Sequence, residues 1–180
     1  MLQAQSNDDG VTISLPPEAP DDHASVVVVE VEGTLDVVAN VPIVGSDGKL
    51  LLTADKAYIN NNEGSKDASL KTHDDIPHVG YWTDNEASVE WAFRTNVPGE
   101  FEVRAVMSVQ EAKTKFGIGL AGQPLMVEVE STGGYDKYVE KTLGTIQIDK
   151  AGDHVLRVKP DASAWNPMNL RSVELRLKSK

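Results

Sequence analysis

The residues best suited to ligand chemistry lie in one stretch of the chain, which reads GYWTDNEASVEWAF over residues 80–93. It opens with two adjacent aromatic residues, Tyr81 and Trp82. Aromatic rings at a surface bind the flat C–H faces of ligands such as sugars, while polar groups at the rim of a site bind the hydroxyl groups. The pair therefore predicts a stacking surface for a ligand. The alternative is that both rings plug the end of the fold, because buried aromatic residues commonly stabilise sandwiches.

The residues that follow the aromatic pair predict the strand that positions it. Val89, Trp91 and Phe93 fall on one face of an alternating segment. Period-two alternation is typical of a strand with one buried face. We therefore expect Trp91 in the core and the pair Tyr81 and Trp82 at the mouth of the strand.

Acidic residues are numerous, but their spacing does not predict catalysis. Hydrolysis of a glycosidic bond needs two carboxyl groups that face each other across a cleft. Glu90 points outward between two core residues, and the sequence pattern pairs no second acid with it. The chain also lacks a G-x-S-x-G nucleophile motif and the glycine spacing of a phosphate loop. We predict that the chain is not an enzyme by itself.

A second polar cluster, HDDIPH, offers His73, Asp74, Asp75 and His78 as ligands for a transition metal. The competing interpretation is ordinary polar sequence, because the cluster lies in a long loop that we predict over residues 60–78. The residues leave both interpretations open.

The overall charge excludes several classes of partner. Lys and Arg number 17 and Asp and Glu number 28, so the net charge is −11. Nucleic acids and anionic membranes need basic patches, so we predict neither as a partner and expect a neutral or cationic ligand. The absence of cysteine excludes disulfides and thiolate metal sites. The longest apolar run, residues 26–29, is too short to span a membrane.

Short alternating segments separated by turn residues fill most of the chain, and no long helical periodicity occurs. Turn signals recur at the spacing that is typical of sandwiches and barrels. The pattern predicts an all-β fold, and we favour a jelly-roll-like β-sandwich. Residues 108–115 are polar and predict a single helical turn between strands.

We predict three regions along the chain. Residues 1–10 are polar and acidic and predict a disordered N-terminus, whereas residues 46–180 predict the sandwich. Residues 11–45 between them predict extra strands, at residues 11–15, 25–33, 35–38 and 41–44. The last two segments could be one strand that Pro42 interrupts. The segment SVVVVEVEG, residues 25–33, predicts a strand whose first half is buried on both faces. Because an unpaired apolar strand invites edge pairing, the same segment predicts a homodimer contact.

From about residue 49 onwards, the chain resembles the carbohydrate-binding-module-like β-sandwiches of families 6 and 35, which are attached to many bacterial glycoside hydrolases. The resemblance rests on the order and spacing of four pieces: LLTADKAYI, GYWTDNEASVEWAFRTNVPGEFEVRAVM, TGGYDKYVEKTLGTIQIDKAGDHVLRVKP and MNLRSVEL. It implies a galactose-binding-like jelly roll that binds glycan without catalysis.

The resemblance also implies which residues form the site. In family 6 modules, one loop cleft takes an aromatic residue from each of two segments and an asparagine from the entry of the last strand. The matching positions here are Tyr81 or Trp82, Tyr135 and Asn169, with Tyr135 in place of the usual tryptophan. Trp165 lies in the loop over residues 160–167 and is expected to border the same cleft.

Modules of this family often hold a structural calcium ion between the first and the last strand, bound by oxygen ligands. The resemblance implies Asp55 as a ligand, although Arg171 stands where an acidic residue is expected in the last strand. The competing interpretation is that Asp55 is a solvated surface residue. No cofactor is required by either interpretation.

The first part of the chain, VTISLPPEAPDDHASVVVVEVEG, resembles the last strands of the small β-domain that follows the catalytic barrel of bacterial α-L-fucosidases, glycoside hydrolase family 29. This implies an appendage of a secreted or periplasmic enzyme, whose catalytic carboxylates have no counterpart here. The alternative function is a structural sandwich that packs on a catalytic domain, or associates with itself, without binding sugar.

Overall fold

The computed structural model describes residues 3–7, 10–18, 21, 24–30, 32–33, 41–61 and 68–178. The chain divides into two compact units, Met1–Ala39 and Asn40–Lys180. Among the described residues the only helix is a single 3-10 turn at Ala54–Lys56, and every other element is a strand. The all-β prediction is therefore confirmed, while the three-region division stays a prediction.

The first unit contains an antiparallel hairpin of β1 (Gln3–Asn7) and β2 (Gly10–Ser14). The strand predicted at residues 11–15 corresponds to β2. Its partner β1 lies where the sequence predicts disorder. Pairing explains the difference, because polar residues that bury no apolar surface still form a strand when a neighbouring strand takes their backbone hydrogen bonds.

The valine run of the first unit is not a strand. Residues 24–30 carry no regular secondary structure, and Val26 and Val28 are 82% and 79% exposed. The predicted strand with two buried faces is therefore wrong for residues 24–30, because no described strand pairs with this run. The strand predicted at residues 35–38 lies outside the described residues.

The second unit is a sandwich of two sheets. One sheet has the order β10-β9-β12-β7-β4, and the other has the order β11-β8-β13-β6-β5, with β3 pairing with β13. The named strands of both sheets pair antiparallel. The strands are β3 (Lys49–Thr53), β4 (Tyr58–Asn60), β5 (Ser69–His73), β6 (Ile76–Gly80), β7 (Ser88–Thr95), β8 (Gly99–Val109), β9 (Lys113–Leu120), β10 (Gln123–Glu130), β11 (Val139–Ile148), β12 (Gly152–Pro160) and β13 (Met168–Leu177).

The core lies between the two sheets, as the alternation predicts. Val89, Trp91 and Phe93 of β7 are buried, and Trp91 Nε1 donates a hydrogen bond to the Thr53 carbonyl oxygen at 2.8 Å. The opposite sheet contributes its own alternating buried residues, which include Phe101, Val103, Ala105, Met107, Val173 and Leu175. Both inner faces thus contribute to one hydrophobic cluster.

Two connections differ from the sequence prediction. The loop predicted over residues 60–78 contains the hairpin of β5 and β6, closed by a two-residue turn in which Asp74 and Asp75 have φ of 51° and 59°. Positive φ at both central residues is the geometry of a tight hairpin turn. The helical turn predicted at residues 108–115 is also wrong, since β8 extends to Val109 and β9 begins at Lys113. Ser108 and Thr114 are buried although they are polar, so the apolar alternation of a strand does not show in the sequence there. Burial is possible because each hydroxyl donates a hydrogen bond to a backbone carbonyl.

The strand predicted at residues 41–44 is reduced to one bridge. Ile43 pairs with Arg94 in parallel orientation, and the Val44 amide donates to the Arg94 carbonyl at 2.9 Å. This segment therefore extends the sheet beside β7 without forming a full strand.

Candidate functional site

A cleft of about 530 Å³ opens in the sandwich where the β5–β6 hairpin meets the start of β13. It brings together three of the predicted site residues, Tyr81, Tyr135 and Asn169. It does not include Trp82, Trp165 or Asp55 in its lining. The lining residues are Lys71, Thr72, His73, His78, Tyr81, Thr83, Tyr135, Asp136, Tyr138, Pro167, Met168 and Asn169.

Tyr81 presents the most accessible ring of the cleft. It is 70% exposed, and its backbone is left-handed with φ of 54°. A bulky residue in this region is strained, and such strain is common at binding sites. The Thr83 amide donates to the Tyr81 carbonyl at 3.0 Å, and Lys71 Nζ lies 4.9 Å from the centroid of the tyrosine ring. The chain therefore holds this ring outward at a local conformational cost.

Trp82 lies in the core, so its predicted place at the rim is wrong. Its exposure is 0%, because the left-handed step at Tyr81 turns the next side chain inward. Its ring packs against that of Trp165 with centroids 5.0 Å apart. Trp165 is partly buried, and its Nε1 donates to the Trp82 carbonyl at 3.1 Å. These two rings form the tryptophan pair, which packs with the core.

Tyr135 and Asn169 are joined by a hydrogen bond in the lining of the cleft. The Tyr135 carbonyl accepts hydrogen bonds from Ser108 Oγ at 2.7 Å and from Asn169 Nδ2 at 3.1 Å. Burial raises the pKa of the Tyr135 hydroxyl, so this group stays a neutral hydrogen-bonding group at physiological pH. Asn169 Oδ1 faces Gly80, where an added Cβ would come within 3.0 Å of it. Gly80 therefore leaves room for the asparagine.

Sequence reasoning missed Lys71 and Tyr138 as cleft residues, and it considered His78 and Arg171 only in connection with metal sites. The Arg171 guanidinium carbon lies 3.5 Å from the Tyr138 ring centroid, and the His78 ring meets Tyr138 edge-on at 5.8 Å. Burial lowers the pKa of His78, and the nearby charges of Arg171, His73 and Lys71 lower it further. The second tyrosine of GGYDKY was the available signal for Tyr138.

The HDDIPH cluster does not form a metal site. Asp74 and Asp75 occupy the turn of the β5–β6 hairpin, and His73 Nε2 contacts Asp74 Oδ2 at 3.5 Å. The described residues contain no group of three or more His, Asp or Glu side chains that could hold an ion. The metal hypothesis for these residues therefore has no support.

Asp55 lies on the 3-10 turn beside Lys56, with 3.5 Å between the Asp55 Oδ2 and Lys56 Nζ atoms. A hydrogen bond from the Thr53 side chain lowers the pKa of this carboxyl. Arg171 is engaged elsewhere, since its guanidinium stacks on Tyr138. Calcium binding at Asp55 stays a prediction, which a comparison of Tm in calcium and in chelator tests.

Glu90 is committed to structural contacts. Its Oε1 accepts hydrogen bonds from Arg157 Nε at 2.8 Å and from Ser88 Oγ at 3.0 Å. Among the described residues that line the cleft, Asp136 is the only acid. The cleft lining thus lacks the two facing carboxyl groups that glycoside hydrolysis needs.

In the part of the chain that the structure describes, no helix is long and apolar enough to cross a membrane.

A family model described as DUF5077, a domain of unknown function, matches residues 52–166 of this chain. No curated protein matches the sequence. Solved structures do match in fold, with sequence identities of 15–17% for three of them.

Three of these structures are carbohydrate-binding modules. A native family 35 module from Clostridium thermocellum is 17% identical, with a TM-score of 0.58 over 71% of this chain and 96% of that one. CsCBM6-3 from Clostridium stercorarium, in complex with cellobiose, is 16% identical, with a TM-score of 0.56 over 78% and 100%. CBM35 from Paenibacillus barcinonensis is 15% identical, with a TM-score of 0.57 over 71% and 98%. The likeness establishes the galactose-binding-like jelly-roll fold.

Proposed function

The chain belongs to the DUF5077 family of domains of unknown function, and we propose that it is a non-catalytic carbohydrate-binding module that binds a glycan in the cleft between Tyr81 and Tyr135. The observation that carries the proposal is the exposed, strained ring of Tyr81 beside polar groups that can bind hydroxyls. A sugar ring needs this combination of a flat apolar face and hydrogen-bonding edges.

The fold adds support to the proposal. Solved proteins of the same fold are carbohydrate-binding modules, and one of them holds cellobiose. The single acid in the described lining, Asp136, supports binding without hydrolysis. Such a module raises the local concentration of substrate near an enzyme to which it is tethered.

The experiment is a glycan array on the purified chain, followed by calorimetry on any hit. We expect Tyr81→Ala and Tyr135→Ala to reduce affinity by about 1–3 kcal/mol each, since aromatic anchors supply contributions of this size. Tyr58→Ala is the matched control, because Tyr58 is 67% exposed on β4 and lies outside the cleft lining.

Two outcomes would contradict the proposal. The first is a folded protein that binds no glycan on the array. The second is a hit whose affinity is unchanged in both cleft variants, or falls equally in Tyr58→Ala, because binding would then lie elsewhere on the surface.

We further propose that the module is the appendage of a secreted or periplasmic α-L-fucosidase-like hydrolase. The support is the resemblance of residues 11–33 to the β-domain behind the fucosidase barrel. An antibody against the chain tests this in the source culture. A band far above the 19.5 kDa of this chain, with fucosidase activity in the same exported fraction, is expected, and a band at that mass alone would contradict it.

A second function, packing on a catalytic domain or self-association, is favoured by the exposed valines of residues 26–29. An apolar run in open solvent is typical of an interaction surface. Light scattering on the parent and on a Val26→Lys, Val28→Lys double variant tests self-association. A dimer that becomes a monomer in the variant supports this function, and a monomeric parent counts against self-association through this run.

A further inference from the structure

The β5–β6 hairpin forms much of the cleft but shares little backbone register with its sheet. It contributes Lys71, Thr72, His73 and His78 to the lining, and Tyr81 directly follows its last residue. The register between β6 and β13 is a single residue pair, and β5 is an edge strand with four of its five residues exposed. A hairpin with so few backbone bonds to its sheet opens readily unless side chains hold it in place.

Arg171 is placed beside this hairpin by an irregularity in β13. The β8 partners of its two neighbours, Met107 and Val106, are consecutive, so Arg171 has no partner of its own on β8. This arrangement, with one extra residue on one strand, is that of a β-bulge. Bulges are common beside functional sites, where they redirect a side chain.

The Arg171 guanidinium joins the hairpin to the chain segment that leads into β11. Its carbon lies 3.5 Å from the centroid of the Tyr138 ring, and Tyr138 directly precedes β11. Its Nη2 donates a hydrogen bond to the His73 carbonyl oxygen at 3.4 Å. The Tyr138 ring also stacks with His73 at 6.3 Å and meets His78 edge-on at 5.8 Å. One cation and one ring therefore connect β13, the start of β11 and both strands of the hairpin.

The Tyr138 ring is the principal partner of the Arg171 charge. No carboxylate of the described residues lies within ion-pair distance of Arg171, and its Nε is buried without a hydrogen-bond partner among them. A cation on a desolvated aromatic face gains an attraction that corresponds to a factor of about 3–30 in an equilibrium constant. Loss of the stack should therefore shift the hairpin towards an open form by the same factor.

We propose that Arg171 is a positioning residue for the cleft: its stack on Tyr138 holds the hairpin, and with it Tyr81, in the conformation that receives the ligand. The inference rests on the proposed function, because the cleft is the proposed glycan site. Arg171 lies outside the cleft lining, so it acts through Tyr138 and the hairpin. A surface that is formed before the ligand arrives binds more tightly, since less conformational freedom is lost on binding.

The first test is hydrogen exchange, measured by mass spectrometry on the free chain. Arg171→Met keeps the length of the side chain and removes its charge, so the amides of residues 69–80 should exchange about 3–30 times faster. The amides of β8 should stay unlabelled over the same times in parent and variant, because they exchange by global opening, which is far rarer.

Three further variants assign the effect to the stack. Tyr138→Leu breaks the same contact from its other side and should also speed hairpin exchange. The double variant Arg171→Met, Tyr138→Leu should exchange no faster than Tyr138→Leu alone, because both substitutions remove one contact. Tyr138→Phe keeps the ring and should keep the parent rate of hairpin exchange.

Arg176→Met is the matched control. Arg176 lies on the same strand as Arg171, but its guanidinium pairs with Glu174 at 2.7 Å and it lies outside the cleft lining. Its replacement should leave hairpin exchange and glycan binding unchanged. Thermal melts of all the variants verify that they are folded.

The second test repeats the glycan array with Arg171→Met at a series of protein concentrations. Every glycan that the parent binds should need about 3–30 times more of the variant for half-saturation. The best-bound glycan of the array, added at saturation, should restore the parent's protection to the variant's hairpin. A residue that only stabilises the sandwich would lower Tm without this ligand-dependent recovery, and that result would overturn the inference.

Failure of this inference is distinct from failure of the proposed function. Unchanged hairpin exchange in folded Arg171→Met and Tyr138→Leu overturns it, and so does a rise that extends equally to β8. If neither variant folds, the stack is structural and the inference is wrong. Faster hairpin exchange with unchanged half-saturation removes the positioning role and leaves the glycan site in place. If the parent binds no saccharide, the proposed function is wrong, and the positioning role is wrong with it.

Discussion

Tyr81 and Trp82 are neighbours in the chain and opposites in the structure. Tyr81 is 70% exposed in a strained backbone conformation, whereas Trp82 is fully buried against Trp165. One left-handed residue separates the ring of the proposed glycan surface from the buried packing of its neighbour. If the proposal holds, glycan binding depends on Tyr81 and stability on Trp82, so substitutions at the two positions should have opposite signatures.

The largest expected effect is the loss of stability on substitution of Trp82, the buried residue of the two. Trp82→Ala should lower the free energy of unfolding by about 3–5 kcal/mol, because it empties a fully buried site. Tyr81→Ala should change it by less than about 1 kcal/mol, since the ring is exposed. Urea denaturation of both variants measures the two values, and equal losses would contradict the division.

A substitution at Tyr81, the exposed residue of the two, should weaken binding and increase stability. Tyr81→Gly should weaken glycan binding by about 1–3 kcal/mol, as Tyr81→Ala does. It should also raise the free energy of unfolding by about 0.5–1 kcal/mol, because glycine adopts positive φ without strain. Asp75→Gly is a control for backbone relief alone, since Asp75 has φ of 59° and lies outside the cleft lining. It should gain stability and retain binding. A loss of stability in Tyr81→Gly would show that the strained ring contributes to the fold.

A smaller change weakens the contact between the two tryptophans. Trp165→Phe keeps an aromatic ring and removes the hydrogen bond from Nε1 to the Trp82 carbonyl. The free energy of unfolding should fall by about 0.5–1.5 kcal/mol, the usual range for one hydrogen bond. Thermal melts measure this loss, and a loss as large as that of Trp82→Ala would mean that the ring contact itself is broken.

The smallest effect concerns pH and the floor of the cleft. Burial and nearby positive charges lower the pKa of His78, so the unfolded chain binds its proton more readily than the folded one. Stability from neutral His78 is present above about pH 6.5 and is lost as pH falls toward the lowered pKa. Urea midpoints between about pH 7 and 5 should fall in the parent and fall less in His78→Gln. Equal slopes in the parent and in His78→Gln would contradict the assignment.

Sequence patterns predicted the sandwich because several of its core strands alternate over much of their length. In β7, Val89, Trp91 and Phe93 are buried, and the residues between them, Glu90 and Ala92, are more exposed. The resemblance then led to Tyr81, Tyr135 and Asn169, which line one cleft.

The remaining features depend on geometry that a sequence does not carry. The inward turn of Trp82 follows from a positive φ at a tyrosine, which residue preference alone argues against. Lys71 was missed, and His78 was considered only as a metal ligand, because their hairpin lies at a sheet edge and shows little apolar alternation. The prediction of a buried strand in the valine run, residues 26–29, was wrong for a different reason. Its apolar composition predicts burial, but no described strand pairs with it.

Strand β13 pairs with β8 along its whole length, with β3 over Ser172–Arg176 and with β6 at Leu170. Asn169, which lines the cleft, belongs to this most extensively bonded strand. The part of the cleft lining that β13 contributes therefore cannot rearrange without disrupting the centre of the sheet. Binding of a ligand against Asn169 should then cause little further ordering of the protein. Affinity differences between ligands should then appear in how fast they leave, with association rates that vary little from one ligand to the next.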